Sequence, residues 1–378
     1  MKVIITIARI LLGITFVFSG FVKGIDPLGS MYKFTDYFNA MHLGWASQLS
    51  FVLSILLSLS EYAIGIALLF NYRMKFFSWL VLLYMTIFTP ITLWVAITNP
   101  VSDCGCFGDA LVISNWATFY KNIALLLLAV LVFRKRFQIR NHYNIHFQNA
   151  YFILFLLLFG WAQMHSYNHL PLIDFRAYKT GNNIPEGMLI PDDAPADEYN
   201  TEFIYRNKQS GVEKEFDESN YPWQDTINWE YVDSRSILVK EGYHPPITNF
   251  TIENEFGEDV SDFFLLDPAY TFIVVAYNLD DSSTKKQEKL NELAENAKRE
   301  GMNFICLTAS TRDKIEEFKA AYQVPYEFFF CDEITLKTMI RSNPGVLLLQ
   351  EGTILNKWHW KDLPEFDTVK KQLSSDDE

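Results

Sequence analysis

The sequence predicts an α-helical membrane bundle of four helices plus a fifth, followed by a soluble α/β domain. Three observations carry that expectation. Five apolar runs, roughly 3–22, 51–70, 76–97, 116–133 and 150–166, fall within the first 166 residues, each near the length that crosses a ~30 Å hydrocarbon core as a helix. Charge divides at the same place: 11 Lys/Arg against 5 Asp/Glu up to residue 166 give +6, and 21 against 40 beyond it give −19. From residue 246 onward, strand-like and helix-like stretches alternate, the pattern of a sheet with parallel pairs.

The first run reads as a retained helix rather than a cleaved leader, because "ITFVFSGFVKG" offers no small-x-small cleavage site and the run contains Arg9. The last, "AYFILFLLLFGWAQ", is the shortest. The expected segments are 1–140 for the four-helix unit, 141–170 for a fifth membrane helix, 171–245 for a linker with a small β-rich element, and 246–378 for the α/β domain. Loop charge sets the orientation, since Lys and Arg near helix ends stay cytoplasmic. "NYRMK" and "RKRFQIR" are basic, whereas "NPVSDCGCFGDALVISN" has no Lys or Arg and two aspartates. The expectation is a multi-pass inner-membrane protein with its N-terminus inside and its acidic half in the periplasm, where disulfides are permitted. Trp45, Trp79, Trp94 and Trp116 sit where interfacial aromatic belts belong.

In the acidic half, "TEFIYRNKQSGVEKEFD" reads as two strands around a glycine turn. The net negative charge argues against nucleic acid, which needs a basic footprint. Beyond it come "TFIVVAYN" as strand, "SSTKKQEKLNELAENAKREG" as helix, "NFICLTAS" as strand, "TRDKIEEFKAAY" as helix, and "SNPGVLLLQEGTILNKW" as two strands. That order resembles the second half of a thioredoxin-like domain of the periplasmic TlpA or peroxiredoxin type. The resemblance implies a cis bond at Pro344, after Asn343. It also implies a Cys-x-x-Cys where the first central strand enters its helix, but this chain reads "YNLDDSSTKKQ" there, with no thiol. A binding or docking role for an envelope or periplasmic protein becomes the better expectation. Cys306 and Cys331 lie in predicted strands, where a buried cysteine mostly acts as a small apolar residue; a disulfide or resolving role is the alternative.

The remaining cysteines stand in "NPVSDCGCFGDA". With "RILLGITFVFSGFVKGIDP" at the start, "DCGCFGD" resembles the DoxX-like group of membrane proteins and its methylamine-utilisation MauE-like branch, over roughly residues 1–135. The resemblance implies a four-helix unit linked to thiol–disulfide chemistry or cofactor maturation. The residues themselves point the same way. Cysteines at i and i+2 do not share a face in a regular strand, but Gly105 between them opens other dihedrals, and Gly108 shapes the same turn. A disulfide closed across one residue is strained, and strained exposed disulfides are labile, which suits exchange better than stapling. Asp103 and Asp109 would raise the thiol pKa values and Lys23 would lower them. Two alternatives stand beside exchange: a structural loop disulfide, and a metal site, for which the loop supplies too few ligands, His42 being the only other candidate on that side.

Glu61 falls near the middle of the second run and Arg9 in the first, and charges at membrane depth usually face a partner or a cavity. Taken alone, Arg9 reads as snorkelling to the inner surface, an escape Glu61 lacks; a Glu61–Arg9 contact, or a protonated Glu61 beside a quinone-sized cleft, is the functional expectation. The functional expectation is thiol–disulfide exchange by Cys104 and Cys106 with a periplasmic partner, with a quinone as the possible further carrier. The competing expectation is a non-enzymatic membrane scaffold whose cysteines only brace the loop. Lipid surrounds the bundle in either case.

Overall fold

The computed structural model describes residues 2–101, 103–139, 144–240 and 242–376. Arg140, one of the basic residues expected to hold its loop in the cytoplasm, lies outside them. By contact the chain forms two compact units, Met1–Asn182 with Thr251–Glu378, and Asn183–Phe250.

The membrane helices are α1 (Lys2–Ile25), α3 (Ser50–Leu69), α4 (Met74–Thr98), α5 (Asn115–Lys135) and α6 (Ile145–Asn168), separated after α1 by the shorter α2 (Pro27–Ala40). Among the described residues five helical segments are long and apolar enough to cross a membrane, and they correspond to the five apolar runs. The protein is a multi-pass membrane protein. Apolar burial against lipid supplies little drive for helices to associate, so small residues at helix crossings matter. A Cβ on Gly20 would stand 2.5 Å from the Tyr62 amide nitrogen, and one on Gly65 2.4 Å from that of Val17. This close antiparallel crossing of α1 and α3 sets the register that builds the site. Leu12, Phe16, Ile64, Leu68, Val81 and Met85 fill the core around it.

Helix α2 has no apolar run and was not expected. Its signal is local: Asp26 accepts a hydrogen bond from the Gly29 amide at 2.9 Å as N-cap, and Pro27 follows at the first helical position.

The unit Asn183–Phe250 contains α7 (Ile184–Met188) and a three-stranded antiparallel sheet of β1 (Glu198–Asn207), β2 (Glu213–Asp217) and β3 (Trp229–Lys240) in the order β2-β1-β3. The expected hairpin is β1–β2, turned through Gly211 at φ +70°. The third strand escaped notice because Asp233, Ser234, Arg235 and Ser236 interrupt its apolar residues.

The C-terminal region opens with α8 (Ser261–Leu265) and continues as β4 (Thr271–Val275), α9 (Gln287–Arg299), β5 (Asn303–Thr308), α10 (Arg312–Tyr322), β6 (Glu327–Phe330), α11 (Glu333–Met339), β7 (Gly345–Gln350), β8 (Thr353–His359) and α12 (Phe366–Asp376). The sheet order is β6-β5-β4-β7-β8. Strands β4, β5 and β6 run parallel and β7 and β8 antiparallel to their neighbours. This is a thioredoxin-like α/β fold. Phe272, Val274, Leu290, Phe304, Val346 and Val369 share one core cluster within it. The Asn343–Pro344 bond is cis, as the resemblance implied. Cys306 and Cys331 are buried free thiols, and burial pushes both above the ordinary thiol range.

Candidate functional site: a dithiol turn on a cavity wall

Cys104 and Cys106 project from the turn between α4 and α5 with their sulfurs 2.7 Å apart. Gly105 makes this possible at φ +63°, in the left-handed region where a side chain is strained, and a Cβ there would also press on the Lys33 side chain at 3.2 Å. Gly108, at φ +50°, carries the chain out of the turn beneath Val22. The turn is tied down on every side. Asp103 accepts from the Gly105 amide at 2.8 Å and pairs with Lys33 at 2.6 Å. The Tyr37 hydroxyl donates to the Cys104 carbonyl at 2.9 Å, and the Ser19 hydroxyl lies 2.8 Å from that of Cys106.

The two thiols differ in surroundings. Cys104 is buried, while Cys106 is half-buried. When Cys104 is ionised, the Cys106 S–H donates to it, the Cys106 amide lies 3.3 Å away and the Thr118 hydroxyl 3.5 Å. The hydrogen bond from Cys106, then those from Thr118 and the amide, outweigh burial and hold the Cys104 thiol below its ordinary range. The same shared hydrogen bond, reinforced by burial, keeps Cys106 protonated.

Glu61 and Arg9 do not meet. The antiparallel α1–α3 register places Gly20 against Tyr62 and Gly13 against Leu69. Glu61 therefore faces the part of α1 that carries Lys23, and Arg9 faces the C-terminal end of α3. Arg9 is buried and donates to the Leu68 and Leu69 carbonyls, the latter at 2.8 Å, at the C-terminal end of α3, where a cation suits the helix dipole. Glu61 takes Lys23 instead, with Nζ 2.9 Å from both carboxylate oxygens. Ser19 bridges this pair to the turn, its Oγ 2.9 Å from Glu61 Oε2 and 3.1 Å from Lys23 Nζ.

Both cysteines, Lys23, Glu61 and Ser19 line one cavity of about 890 Å³. Its walls include Phe16 in α1, Tyr84 in α4 and Leu125 in α5. Leu125 stands ten residues into α5, on the order of 15 Å along its axis at ~1.5 Å per residue.

The thioredoxin-like region closes the other end through Lys337, Thr338 and Arg341. The Arg341 guanidinium pairs with Asp26 at 2.9 Å and with Asp109, three residues beyond Cys106, at 3.2 Å. Burial alone would raise the Asp26 carboxyl, but Arg341 and then Arg176 draw it below the ordinary range; at Asp109 burial prevails and the carboxyl is raised. Tyr277, where a thioredoxin-like dithiol loop would begin, sits with its hydroxyl 3.4 Å from that of Tyr32 in α2. Asn343 donates to the Asn278 carbonyl at 2.8 Å across the same loop. The sequence did not single out Ser19, Tyr37, Thr118, Asp26 or Arg341, which are ordinary residue types until the fold assembles them.

Residues 1–134 match the family model described as methylamine utilisation protein MauE. Residues 199–241 match a domain of unknown function, DUF8463. Among solved structures the chain is similar to a solution structure titled as a thioredoxin from Neisseria meningitidis, with 14% identity over 33% of this chain and 85% of that one and a TM-score of 0.28. It is also similar to BsSco, a member of the Sco family of cytochrome c oxidase assembly proteins, with 13% identity over 33% and 90% of the two chains and a TM-score of 0.27. The chain matches no curated protein.

Proposed function

From a membrane unit of the MauE family joined to a thioredoxin-like domain, we propose a membrane thiol oxidant that accepts electrons from the dithiol of an exported protein through Cys104 and Cys106. One observation carries the reading: the two sulfurs lie 2.7 Å apart on the wall of a cavity of about 890 Å³.

In the oxidised protein a partner thiolate attacks Cys106, because Cys104 is the better leaving thiolate. The Cys104–Cys106 bond breaks, a partner–Cys106 bond forms, and Cys104 leaves as the thiolate that Thr118 and the Cys106 amide stabilise; a low-pKa leaving group departs fastest. The partner's second thiolate then attacks its own sulfur in the mixed disulfide. Cys106 is released and takes up a proton, so two electrons have moved from the partner to the pair. The domain of residues 251–378, without a dithiol of its own, braces the turn through Arg341 and Asp109. In this reading the protein lies in an inner membrane, with its N-terminus cytoplasmic and the turn and thioredoxin-like domain on the periplasmic side. The absence of Lys and Arg from the cysteine turn supports that orientation.

The test is a trap. In Cys104→Ser, Cys106 activated with 5,5′-dithiobis(2-nitrobenzoate) carries a leaving group that a partner thiolate displaces, so a mixed disulfide to exported proteins that offer a single thiol should accumulate on non-reducing gels. Cys106→Ser, activated in the same way at Cys104, should trap little. Equal trapping by both variants would contradict the assignment of roles, and none by either would remove the exchange reading.

A further inference from the structure

An exchange site of this kind must discharge its electrons after each turnover, and the cavity shows where. We propose that its membrane-side lobe binds a quinone, which takes two electrons from the Cys104–Cys106 pair and its second proton through Glu61. This rests on the exchange reading above and adds the acceptor.

Four features of the site support it. First, the cavity descends among membrane helices, lined there by Phe16, Tyr84, Phe88, Ile91 and Leu125, an apolar and aromatic lining suited to a flat lipophilic ring. Second, the dithiol and a buried carboxylate share that one space, so the electron donor and a group able to relay a proton meet the same ligand. Third, a charged pair in a membrane helix marks a functional site, and Lys23 and Glu61 are both buried and turned into the cavity.

The fourth feature is a count of hydrogens around Ser19. Its hydroxyl has one hydrogen to give, but two acceptors stand beside it, the Cys106 carbonyl at 2.8 Å and Glu61 Oε2 at 2.9 Å. Lys23 already donates to Ser19 and to both carboxylate oxygens. The network is complete with the ion pair: Lys23 gives its three hydrogens to Ser19 and the two carboxylate oxygens, and Ser19 gives its one to the Cys106 carbonyl. One hydrogen-bonded chain thus joins the ion pair to the cysteine turn.

The redox step then balances. Before it, Cys104 is a thiolate and Cys106 a thiol. The sulfur–sulfur bond forms, and two electrons pass to the quinone. The Cys106 S–H supplies one proton, a second from solvent passes through Glu61, and the quinol leaves. Glu61 ends as it began, a carboxylate paired with Lys23. When a partner dithiol next reduces the pair, two protons are released and one re-forms the Cys106 thiol. The other returns to solvent.

The test uses the full-length protein in nanodiscs with decylubiquinone and an azido-ubiquinone photolabel. The label should attach to peptides containing Phe16, Tyr84 or Leu125 in the Cys104→Ser, Cys106→Ser double variant as well as in the native chain, and excess decylubiquinone should compete it away. In single-turnover oxidation of the reduced native protein, followed by alkylation of the remaining thiols, Glu61→Gln should slow the reaction about 100-fold and Glu61→Asp should restore part of it. Photolabelling of Glu61→Gln confirms that the variant is folded. Absence of competable label on those helices would overturn the quinone site while leaving the mixed-disulfide trap intact. Normal oxidation by Glu61→Gln with normal labelling would overturn the role of Glu61 alone.

Discussion

At the scale of residues, the site depends on unequal thiols. Because hydrogen bonds from Cys106 and Thr118 favour the Cys104 thiolate, alkylation of Cys104 in the reduced protein should rise with a midpoint below the ordinary thiol value of about 8.5, and Cys106 should react only well above it. Mass-spectrometric alkylation profiles between pH 5 and 10 check this; one midpoint shared by both cysteines would contradict it. Thr118→Val removes one donor to the thiolate and should move the Cys104 midpoint upward. Replacing Gly105 with Ala should separate the sulfurs, because the turn needs φ near +63° and the new methyl would crowd Lys33. The readout is failure of the pair to close to a disulfide under an oxidant that closes the native one.

At the scale of elements, the crossing of α1 and α3 and the reach of Arg341 do most of the positioning. Gly20→Leu would force those helices apart at a contact where even a Cβ meets the Tyr62 backbone at 2.5 Å. Overpacking of this kind costs about 1–3 kcal/mol, and the variant should lose thermal stability in detergent and with it the Lys23–Glu61 pair. Arg341 is nearly enclosed, with a side chain 6% exposed, and breaking a buried pair costs roughly 3 kcal/mol because the abandoned carboxylates stay in place. Arg341→Ala should therefore speed alkylation of Cys106 and hydrogen exchange in the turn, without abolishing chemistry at the dithiol. A turn as protected as the native one would show that Arg341 does not brace it.

At the scale of the whole molecule, orientation decides which partners can reach the turn. In a background with serine at 104 and 106, Ser210→Cys in the β1–β2 hairpin should label with a membrane-impermeant maleimide in intact spheroplasts. Lys75→Cys at the start of α4 should label only after permeabilisation. The reverse pattern would place the dithiol in the reducing compartment and end the case for an exported partner. The absence of a Cys-x-x-Cys in the thioredoxin-like domain gains a physical sense here. Its loop at Tyr277 and the residues before Pro344 are turned toward the chain's own α2 and cysteine turn.

The sequence alone determined the five membrane helices, the alternation of strands and helices after residue 246 and the dithiol turn, because each depends on local composition or short spacing; the cis bond at Pro344 came only from the resemblance to a thioredoxin-like domain. Helix α2 was also legible, in the Asp26 cap and Pro27, but its polar content hid it from a search for apolar runs. Only the tertiary structure decided what meets Glu61. Charges at membrane depth announce that they need partners, but which partner depends on helix register, and the glycines that set it name no pair until α1 and α3 cross. The same holds for Arg341, whose two carboxylates lie 315 and 232 residues away in sequence. No periodicity reaches across such a separation; the fold alone brings the guanidinium to the turn.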